Sequence, residues 1–530
     1  MNYQALTIGP IYKAGQKAES TKGLWAASYL FSFLMKTIIE KLVEQGVAKD
    51  AFVIPLVSDP NLFAPRKGAG LFPDRLIFKT EDADFAKLKK ALEEAIGVFV
   101  SETKEAIKSQ LTENKQQVLP TFDADYSNYL QKYLLLYAIS KNLSDSANEI
   151  EECNKSLSVL ELQQPVMAEQ TIDYFYYLLE GINRTQLPRK AGLSNGRFPS
   201  IFEISSKELR LKSNDDYDFV IENYLANEDE KEIIDNLKDF FPNNFKRRHK
   251  YIAIVNADGD NMGKAVEQIN KKDKTLVRKV DKLLLDFNIA SVDKIQLYGG
   301  KSIYLGGDDL LFFAPITYGE DKTVFKLADD ISKDYNAKFK TLFDECLTTD
   351  PDFWKDEEGN NITPPTLSFG ISISYYKYPM FEAIESAAKL LHQAKEDSKN
   401  AVAFQVLKHS GQYFGARISK ANDTYSTYFI TTLNKAIEDD SFLSSIQFQL
   451  NATAHVIEAA LPYGKQALTN YFDNFFNEPV HGLKKDFLDS VCDFLWQAYQ
   501  DTSDAELTLQ TVYSTLRTFQ FMNQKDNDDE

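Results

Sequence analysis

The sequence predicts an α+β protein built around two ferredoxin-like domains, the first of them degenerate. Residues 251–374 alternate between apolar runs and helical periodicity in the order β-α-β-β-α-β, which is the ferredoxin-like order. Residues 3–78, followed by a helical pattern from about residue 84, repeat this order as far as β-α-β-β-α. From about residue 415 the pattern is helical to residue 521. We therefore expect a degenerate ferredoxin-like domain, a small connector, a second ferredoxin-like domain and a helical domain, at residues 1–195, 196–245, 246–412 and 413–530.

The second ferredoxin-like domain carries the chemically informative residues. Its first strand is an apolar run that ends in Asp258, and its hairpin turns at Gly306-Gly307-Asp308-Asp309. In this topology the first strand lies beside the hairpin, so we expect Asp258 to face Asp308 and Asp309. The predicted elements are a strand at 251–257, a helix at 262–288, strands flanking 306–309, a helix near 322–345, a strand at 366–374, a helix at 379–397 and a strand at 402–406.

Adjacent carboxylates at a hairpin tip repel each other, and a divalent cation with an oxygen-rich partner such as a triphosphate relieves that repulsion. The two glycines permit a tight turn and leave room for a ligand. On the turn alone, a solvated β-turn explains the residues equally well. Asp258 changes this balance, because it is followed by a glycine-containing loop and the start of a helix, which offer a metal ligand and N–H groups for phosphate. We therefore predict a metal site.

The first ferredoxin-like domain lacks this chemistry. Its first strand ends in Gly9-Pro10 rather than in an acid, and no acidic pair joins its hairpin-like strands. Residues 68–74 fit either an exposed binding loop or a connector. We expect residues 125–182 to be helical, with their Tyr and Leu side chains in a core.

Composition excludes several functional classes. The chain has 60 basic and 78 acidic residues, and a net charge of −18 does not by itself attract nucleic acid. The basic stretch at 246–250 is interpreted as a solvated linker or a local RNA contact. Cys153, Cys346 and Cys492 are too far apart for a zinc motif or a disulfide framework. No apolar run is long enough to span a membrane, so we expect a soluble cytoplasmic protein with a disordered acidic tail at 523–530.

Two motifs resemble the large, palm-polymerase-like subunit of type III CRISPR effector complexes. They are residues 257–264, Ala-Asp-Gly-Asp-Asn-Met-Gly-Lys, and the Gly-Gly-Asp-Asp turn at 306–309. Residues 8–10 and 24–30 look like the Cmr branch, type III-B, as do Leu-Ser-Phe-Gly-Ile at 367–371 and Ala-Lys at 394–395. The likeness spans about residues 3–411, and the helical domain fits by architecture only. The resemblance implies palm folds of the nucleotidyl cyclase kind.

The resemblance also implies a function. We expect an ATP-dependent nucleotidyltransferase subunit of an RNA-guided antiviral complex, with guide RNA and target RNA held largely through partner subunits. Binding of target RNA would switch on synthesis of a cyclic oligoadenylate-type second messenger. By the same resemblance, Asp258, Asp308 and Asp309 would be catalytic and would hold two Mg²⁺ or Mn²⁺ ions. Asp260 would brace the loop. The nucleotide contacts would be Gly259, Asn261, Met262, Gly263, Lys264, Gly306, Gly307, Ser368 and Lys395.

Several alternatives remain open. Some relatives transfer AMP to S-adenosylmethionine, and the residues do not distinguish that acceptor from ATP. A scaffold that binds nucleotide without turnover is the non-enzymatic alternative, and a diguanylate cyclase is disfavoured because Asp309-Leu310 replaces its Glu-Phe. Lys395 fits a triphosphate contact or a helix C-terminal cap equally well. No histidine precedes an aspartate, so we expect no His-Asp DNase activity. Product length, guide sequence and downstream effector are not encoded in any recognisable residue.

Overall fold

The computed structural model describes residues 1–82, 84–144, 148–163, 172–227, 230–319, 322–396, 398–434, 440–476 and 484–526. The first domain contains a four-stranded sheet in the order β2-β3-β1-β4, in which β1 is antiparallel to both of its neighbours. This is the ferredoxin-like strand order, as predicted. The strands are β1 (Asn2–Gly9), β2 (Phe52–Ile54), β3 (Arg75–Thr80) and β4 (Leu135–Asn142).

The second domain contains a six-stranded sheet in the order β10-β9-β8-β5-β7-β6. Its four ferredoxin-like strands are β8, β5, β7 and β6, and β9 extends the sheet in parallel to β8. The central strand β5 therefore runs between the hairpin and β8, as the sequence predicted. The strands are β5 (Tyr251–Asp260), β6 (Lys301–Gly306), β7 (Asp309–Ala314), β8 (Thr366–Tyr375), β9 (Ala401–Leu407) and β10 (Tyr413–Ser419).

Helices cover the faces of both sheets and form the connector and the helical domain. Those of the first domain are Ile11–Gln16, Thr21–Glu44, Ala86–Glu113, Phe122–Tyr133, Glu149–Glu161, Tyr174–Gly181 and Leu187–Lys190. The connector has Ile201–Ser205, Asn214–Asn227 and Glu230–Phe240. The second domain has Met262–Lys272, Val277–Leu297, Val324–Thr349 and Met380–Lys395. The helical domain has Ile430–Asn434, Asp440–Ala452, Ala454–Ala460, Lys465–Phe475, Lys485–Thr502 and Ala505–Asn523.

Three predictions about secondary structure were wrong. Residues 135–142 form β4 rather than helix, because pairing along the whole of β1 outweighs their local helical pattern. Residues 413–419 form the strand β10, which pairs with β9. The helix predicted at 262–288 is interrupted at Asp273, whose backbone is extended and whose side chain accepts a hydrogen bond from the Thr275 N–H at 2.9 Å.

The loop at 68–74 is a connector over most of its length. Residues 68–72 are buried, and the Trp25 indole N–H donates to the Gly68 carbonyl at 2.6 Å. The Phe72 N–H donates to Ser32 Oγ at 3.0 Å. These contacts tie the loop to the helix Thr21–Glu44, so the alternative of an exposed binding loop does not fit.

The basic stretch at 246–250 is part of the folded interior rather than a solvated linker. Arg248 and His249 are buried against Glu208, whose pKa lies well below its ordinary value: burial acts to raise it, but hydrogen bonds and positive charges from His249 and Arg248 outweigh that effect. Arg248 also donates to the Met522 carbonyl at 2.5 Å, and Lys250 pairs with Asp526 at 2.6 Å. The stretch therefore joins the connector to the end of the chain.

The helical domain packs on the second domain. Phe521 lies against Tyr251 of β5 with ring centroids 4.8 Å apart, and the guanidinium of Arg517 lies 4.6 Å from the Phe414 ring of β10. The buried side chains of these two domains and of the first domain form one continuous apolar core. All three cysteines are free and buried. Within the described residues, no helix has the length and apolarity that crossing a membrane requires.

Candidate metal and nucleotide site

Three carboxylates converge at the end of β5. Asp258, Asp308 and Asp309 each offer an oxygen within 4.8 Å of the other two, and we name them the acidic cluster. It is the one group of this kind in the described part of the chain. The two elements that bring it together are β5 and the β6–β7 hairpin, because Ala257 of β5 pairs with Leu310, directly after the turn. Residues 50 positions apart in the sequence thus share one site.

Close approach explains Gly259, and the backbone conformation of the turn explains Gly307. A Cβ placed on Gly259 would lie 2.8 Å from both Cβ and Cγ of Asp308, nearer than carbon atoms can approach. Gly307 has φ +62°, the left-handed conformation that the two-residue turn requires. Gly306 is the last residue of β6 and pairs with Asp309. The glycines therefore let the hairpin tip meet the end of β5.

The cluster is electrostatically strained. Partial removal from water raises the pKa of Asp308, and the charge of Asp258 raises it further. The same two causes, with the charge of Asp308 added, raise the pKa of Asp309 to about 7. Carboxylates that repel each other at neutral pH favour a bound cation, which would relieve this repulsion.

Lys395 is the last residue of the helix Met380–Lys395, and its ammonium lies in the site. It donates to an Asp258 carboxylate oxygen and to the Gly259 carbonyl, the latter at 2.9 Å. The cap at this helix end comes instead from Arg417, which donates to the carbonyls of Gln393 at 3.1 Å and Glu396 at 2.8 Å. Of the two roles expected for Lys395, the geometry therefore favours the one in the site.

Asp260 lies beneath the cluster and is buried, with 1% of its surface exposed. Its carboxylate accepts hydrogen bonds from Thr366 Oγ1 at 2.9 Å, Ser368 Oγ at 2.8 Å and the Asn400 N–H at 2.9 Å. Asp260 thus braces the loop, as expected. Ser368 is fully buried and its hydroxyl is committed to Asp260, so the predicted nucleotide contact of Ser368 does not fit its position.

The loop between β5 and the helix Met262–Lys272 presents a helix start beside the cluster. Asn261 has φ +61°, and among the described residues its side chain makes no capping hydrogen bond to that helix. Its side chain instead accepts from Lys399 Nζ at 3.0 Å. Gly263 and Lys264 are exposed, with open space beside Gly263, while Met262 is half-buried. The first N–H groups of the helix are therefore available to an anion.

Several residues around the site were missed by sequence reasoning. Asn288 lies behind the hairpin and donates to the Gly307 carbonyl at 3.1 Å. Lys399 and Asn400 both have positive φ, 53° and 43°. Lys399 donates to the Asn261 side chain, and the Asn400 N–H donates to Asp260. Lys420 directly follows β10, and its ammonium donates to the Leu367 carbonyl at the start of β8. The position of Lys399-Asn400 shortly after Lys395 was a usable signal, whereas nothing near Asn288 or Lys420 in the sequence marks them.

Two family models match the chain, in order. The model described as Cas10/Cmr2, second palm domain, matches residues 251–403. The model described as CRISPR-associated protein Cmr2, N-terminal, matches residues 3–118. The first match contains the acidic cluster and Lys395, and the second covers β1 to β3 of the first domain.

Individual proteins of type III CRISPR systems are similar to this chain in sequence or in fold. The chain is 28% identical over 190 residues to the CRISPR system Cmr subunit Cmr2 of Pyrococcus furiosus, a match that covers 31% of this chain and 19% of that protein. It is similar in fold to a crystal structure of a Csm1–Csm4 cassette in complex with pppApA, with 10% identity and a TM-score of 0.51 over 99% of this chain and 69% of that one. A Csm1–Csm4 cassette in complex with cA4 gives 10% identity and a TM-score of 0.50, over 99% and 70% of the two chains.

The family matches fall on both ferredoxin-like domains, and the sheet of each has the strand order expected of a palm. The chain belongs to the Cas10/Cmr2 family of type III CRISPR subunits.

Proposed function

We propose that this chain is the nucleotidyltransferase subunit of a type III CRISPR complex and joins ATP units into an oligoadenylate when target RNA is bound. The observation that carries the proposal is the convergence of Asp258, Asp308 and Asp309 within 4.8 Å, next to an open helix start. The Csm1–Csm4 cassettes similar in fold are described in complex with pppApA and with cA4. That ligand chemistry supports an adenylate substrate here.

The acidic cluster fits a divalent cation. Its oxygens are hard ligands of the kind Mg²⁺ and Mn²⁺ prefer. Partial removal from water and then repulsion from neighbouring carboxylates raise the pKa values of Asp308 and Asp309, and a cation would relieve that repulsion. Asp258, Asp308 and Asp309 would hold two such ions. When bound, the ions would lower the pKa of an attacking 3′-hydroxyl and neutralise charge on the α-phosphate and the departing pyrophosphate.

The remaining residues would bind and orient the nucleotide. The N–H groups of Met262, Gly263 and Lys264 at the helix start would donate hydrogen bonds to phosphate oxygens. Lys395, held on Asp258 in this structure, would turn toward the triphosphate as cations neutralise Asp258. Asp260 keeps the loop rigid from below, through hydrogen bonds from Thr366, Ser368 and Asn400.

A multisubunit setting is part of this proposal. Guide and target RNA would be held largely by partner subunits, because the chain carries a net charge of −18. Its most basic stretch, at 246–250, is largely occupied by contacts with Glu208, Met522 and Asp526.

The proposal is tested with the assembled complex, target RNA, Mg²⁺ or Mn²⁺ and labelled ATP, with and without S-adenosylmethionine, the products being identified by mass spectrometry. We expect oligoadenylates from ATP alone. A product formed only with S-adenosylmethionine would identify AMP transfer to that acceptor instead. No product under any condition would favour a scaffold that binds nucleotide without turnover.

The matched variants are Asp308→Ala with Asp309→Ala, and Asp344→Ala with Glu345→Ala. The second pair removes two adjacent acids from the exposed face of the helix Val324–Thr349, where they make only surface ion pairs with Lys340 and Lys279. We expect the first pair to abolish product while complex assembly and RNA binding persist. The second pair should leave product formation within about twofold of wild type, since exposed ion pairs contribute little.

A further inference from the structure

Lys420, the first residue after β10, is half-buried and places its ammonium between β8 and the helix Val324–Thr349. Its ammonium donates to the Leu367 carbonyl at the start of β8 and to Ser332 Oγ at 2.6 Å, and it lies 4.9 Å from the Phe369 ring. Burial lowers the pKa of Lys420 to about 7, although the negative charges of Asp260 and Asp329 act in the opposite direction. A lysine whose ammonium is removed from water at this cost is expected to have a specific structural task.

The backbone of Lys420 leads directly to the loop of the acidic cluster. Its N–H donates to the Asn400 carbonyl at 2.8 Å, and the Asn400 N–H donates to Asp260 at 2.9 Å. Asn400 and the preceding Lys399 both have positive φ, which costs free energy for residues with side chains. Hydrogen bonds on both sides of Asn400 hold this conformation in place.

The side chain of Lys420 reaches the same loop by a second path. The Leu367 carbonyl that accepts its hydrogen bond belongs to the residue paired with Gly259 in the β5–β8 ladder. The next pair in that ladder is Asp260 with Thr366. Lys420 therefore fixes the strand segment that lies alongside residues 259–260, immediately after Asp258.

The helical domain contacts the same region of the helix Val324–Thr349. Ser426 Oγ donates to Asp329 at 2.6 Å, and the Tyr425 hydroxyl donates to the Phe325 carbonyl at 2.8 Å. Ser332, which accepts from Lys420, lies one turn beyond Asp329. Lys420 is thus the point where the start of the helical domain, this helix and the end of β5 meet.

We propose that Lys420 is a positioning residue that couples the helical domain to the loop 258–261 of the acidic cluster. It acts through the Leu367 carbonyl and through Asn400 to Asp260, and touches none of the three acids of the cluster. A displacement of the helical domain would reach the metal-holding carboxylates along these two paths. This inference rests on the proposed function, because the cluster is taken to bind divalent cations.

The test is Mn²⁺ binding to the full chain, followed by electron paramagnetic resonance, for wild type, Lys420→Met and the control Lys340→Met. Lys340 lies on the helix Val324–Thr349 and forms an exposed ion pair with Asp344, so its substitution removes a lysine near the site's supporting helix without touching Ser332, Asp329 or either path. We expect Lys420→Met to weaken Mn²⁺ binding by about tenfold or more, as losses among residues that support metal ligands do. The control should stay within about twofold of wild type.

A second readout separates positioning from general destabilisation. Amide hydrogen exchange at residues 258–261 should accelerate in Lys420→Met under conditions where the strands β6 and β7 remain protected. If Lys420→Met does not fold, Ser332→Ala removes one of the two acceptors, and we expect a weakening of Mn²⁺ binding by about threefold. The proposal is overturned if the folded variant at Lys420, or in its place Ser332→Ala, binds Mn²⁺ as tightly as wild type.

The outcomes distinguish this inference from the proposed function. If wild type holds no Mn²⁺ at the acidic cluster, both the metal assignment and the inference are wrong. If wild type and Lys420→Met bind Mn²⁺ equally, only the coupling through Lys420 is wrong.

Discussion

The two palm domains of this chain have the same strand order but differ where the chemistry would lie. In the second domain, β6 and β7 are joined by the two residues Gly307 and Asp308, and β5 ends in acids. In the first domain, the corresponding strands β2 and β3 are separated by residues 55–74, and β1 ends at Gly9. A tight hairpin is what carries an acidic pair to the end of the central strand, so the first domain lacks the geometry as well as the residues.

The long loop of the first domain serves a different purpose. Asp59 pairs with Lys282 at 2.6 Å and Lys67 pairs with Asp293 at 2.7 Å, both across the interface with the helix Val277–Leu297 of the second domain. That helix also carries Asn288, which holds the Gly307 carbonyl. The loop of the first palm thus contacts the helix that supports the hairpin of the second palm.

The largest expected effect comes from removing the acidic cluster. Asp258→Ala should lower product formation by at least about a hundredfold, because metal-held charge stabilisation contributes several kcal/mol and each 1.4 kcal/mol is about tenfold in rate. Turnover of labelled ATP by the assembled complex measures this. Turnover at the wild-type rate in Asp258→Ala would contradict the assignment of the chemistry to the acidic cluster of the second palm.

A smaller loss is expected from Gly259→Ala. The added Cβ would press against Cβ and Cγ of Asp308 at 2.8 Å and push the hairpin tip away from β5. We expect Mn²⁺ affinity to fall by about tenfold, as measured by titration. Gly263→Ala is the matched control, since a Cβ there meets open space, and its affinity should be unchanged.

Metal binding should depend on pH in one direction. The pKa of Asp309 is raised to about 7, so protons compete with cations for the cluster below that pH. Mn²⁺ affinity should therefore rise as pH increases through about 7. A titration at several pH values with constant ionic strength tests this, and affinity that falls over this range would contradict the assignment.

Asp309→Asn should stabilise the metal-free chain modestly. Folding raises the pKa of Asp309 from 3.8 to about 7, so ionising this carboxyl opposes folding. The gain from Asp309→Asn is therefore absent in acid, grows as pH rises through the range between these two pKa values, and is complete above about pH 7. Because Asp309 is exposed, we expect only about 1 kcal/mol. Chemical denaturation at two pH values, without metal, measures it. Destabilisation by Asp309→Asn at high pH would mean that the carboxylates do not repel each other.

The smallest effect is expected from a carboxylate added to the first palm. Gly9→Asp places a carboxylate at the end of β1, where the nearest atom to a new Cβ is Leu135 Cβ at 3.7 Å, an ordinary contact. We expect no additional Mn²⁺ site, because no tight acidic hairpin faces it. An additional bound ion in this variant would show that the strand order and one carboxylate suffice to form a metal site without an acidic hairpin.

Much of this arrangement was predictable from sequence because local and tertiary signals agreed. The apolar run of β5, the Gly-Gly turn and the alternation in β8 each specify their element and its neighbour, which is why the approach of Asp258 to the hairpin could be predicted. Strand β4 was missed because residues 135–142 are held by pairing with β1, and pairing partners far along the chain leave no local pattern.

The supporting residues were less predictable for the same reason. Ser368 was expected to contact nucleotide, yet its hydroxyl turns to a carboxylate that only the folded chain brings near. Lys420 is separated by 53 positions from Leu367, whose carbonyl accepts its hydrogen bond, and nothing in the sequence near Lys420 indicates this contact. Sequence motifs identify residues that contact a ligand more readily than the supporting residues that keep those ligand-contacting residues in position.

The proposed function requires that Asp258, Asp308 and Asp309 hold divalent ions next to a nucleoside triphosphate. Anomalous scattering from crystals of the chain grown with Mn²⁺ and a non-hydrolysable ATP analogue tests it most directly. We expect anomalous peaks at about 2.1 Å from oxygens of these three carboxylates, with the triphosphate at the start of the helix Met262–Lys272. Peaks only elsewhere on the chain, with the nucleotide bound away from the cluster, would contradict it.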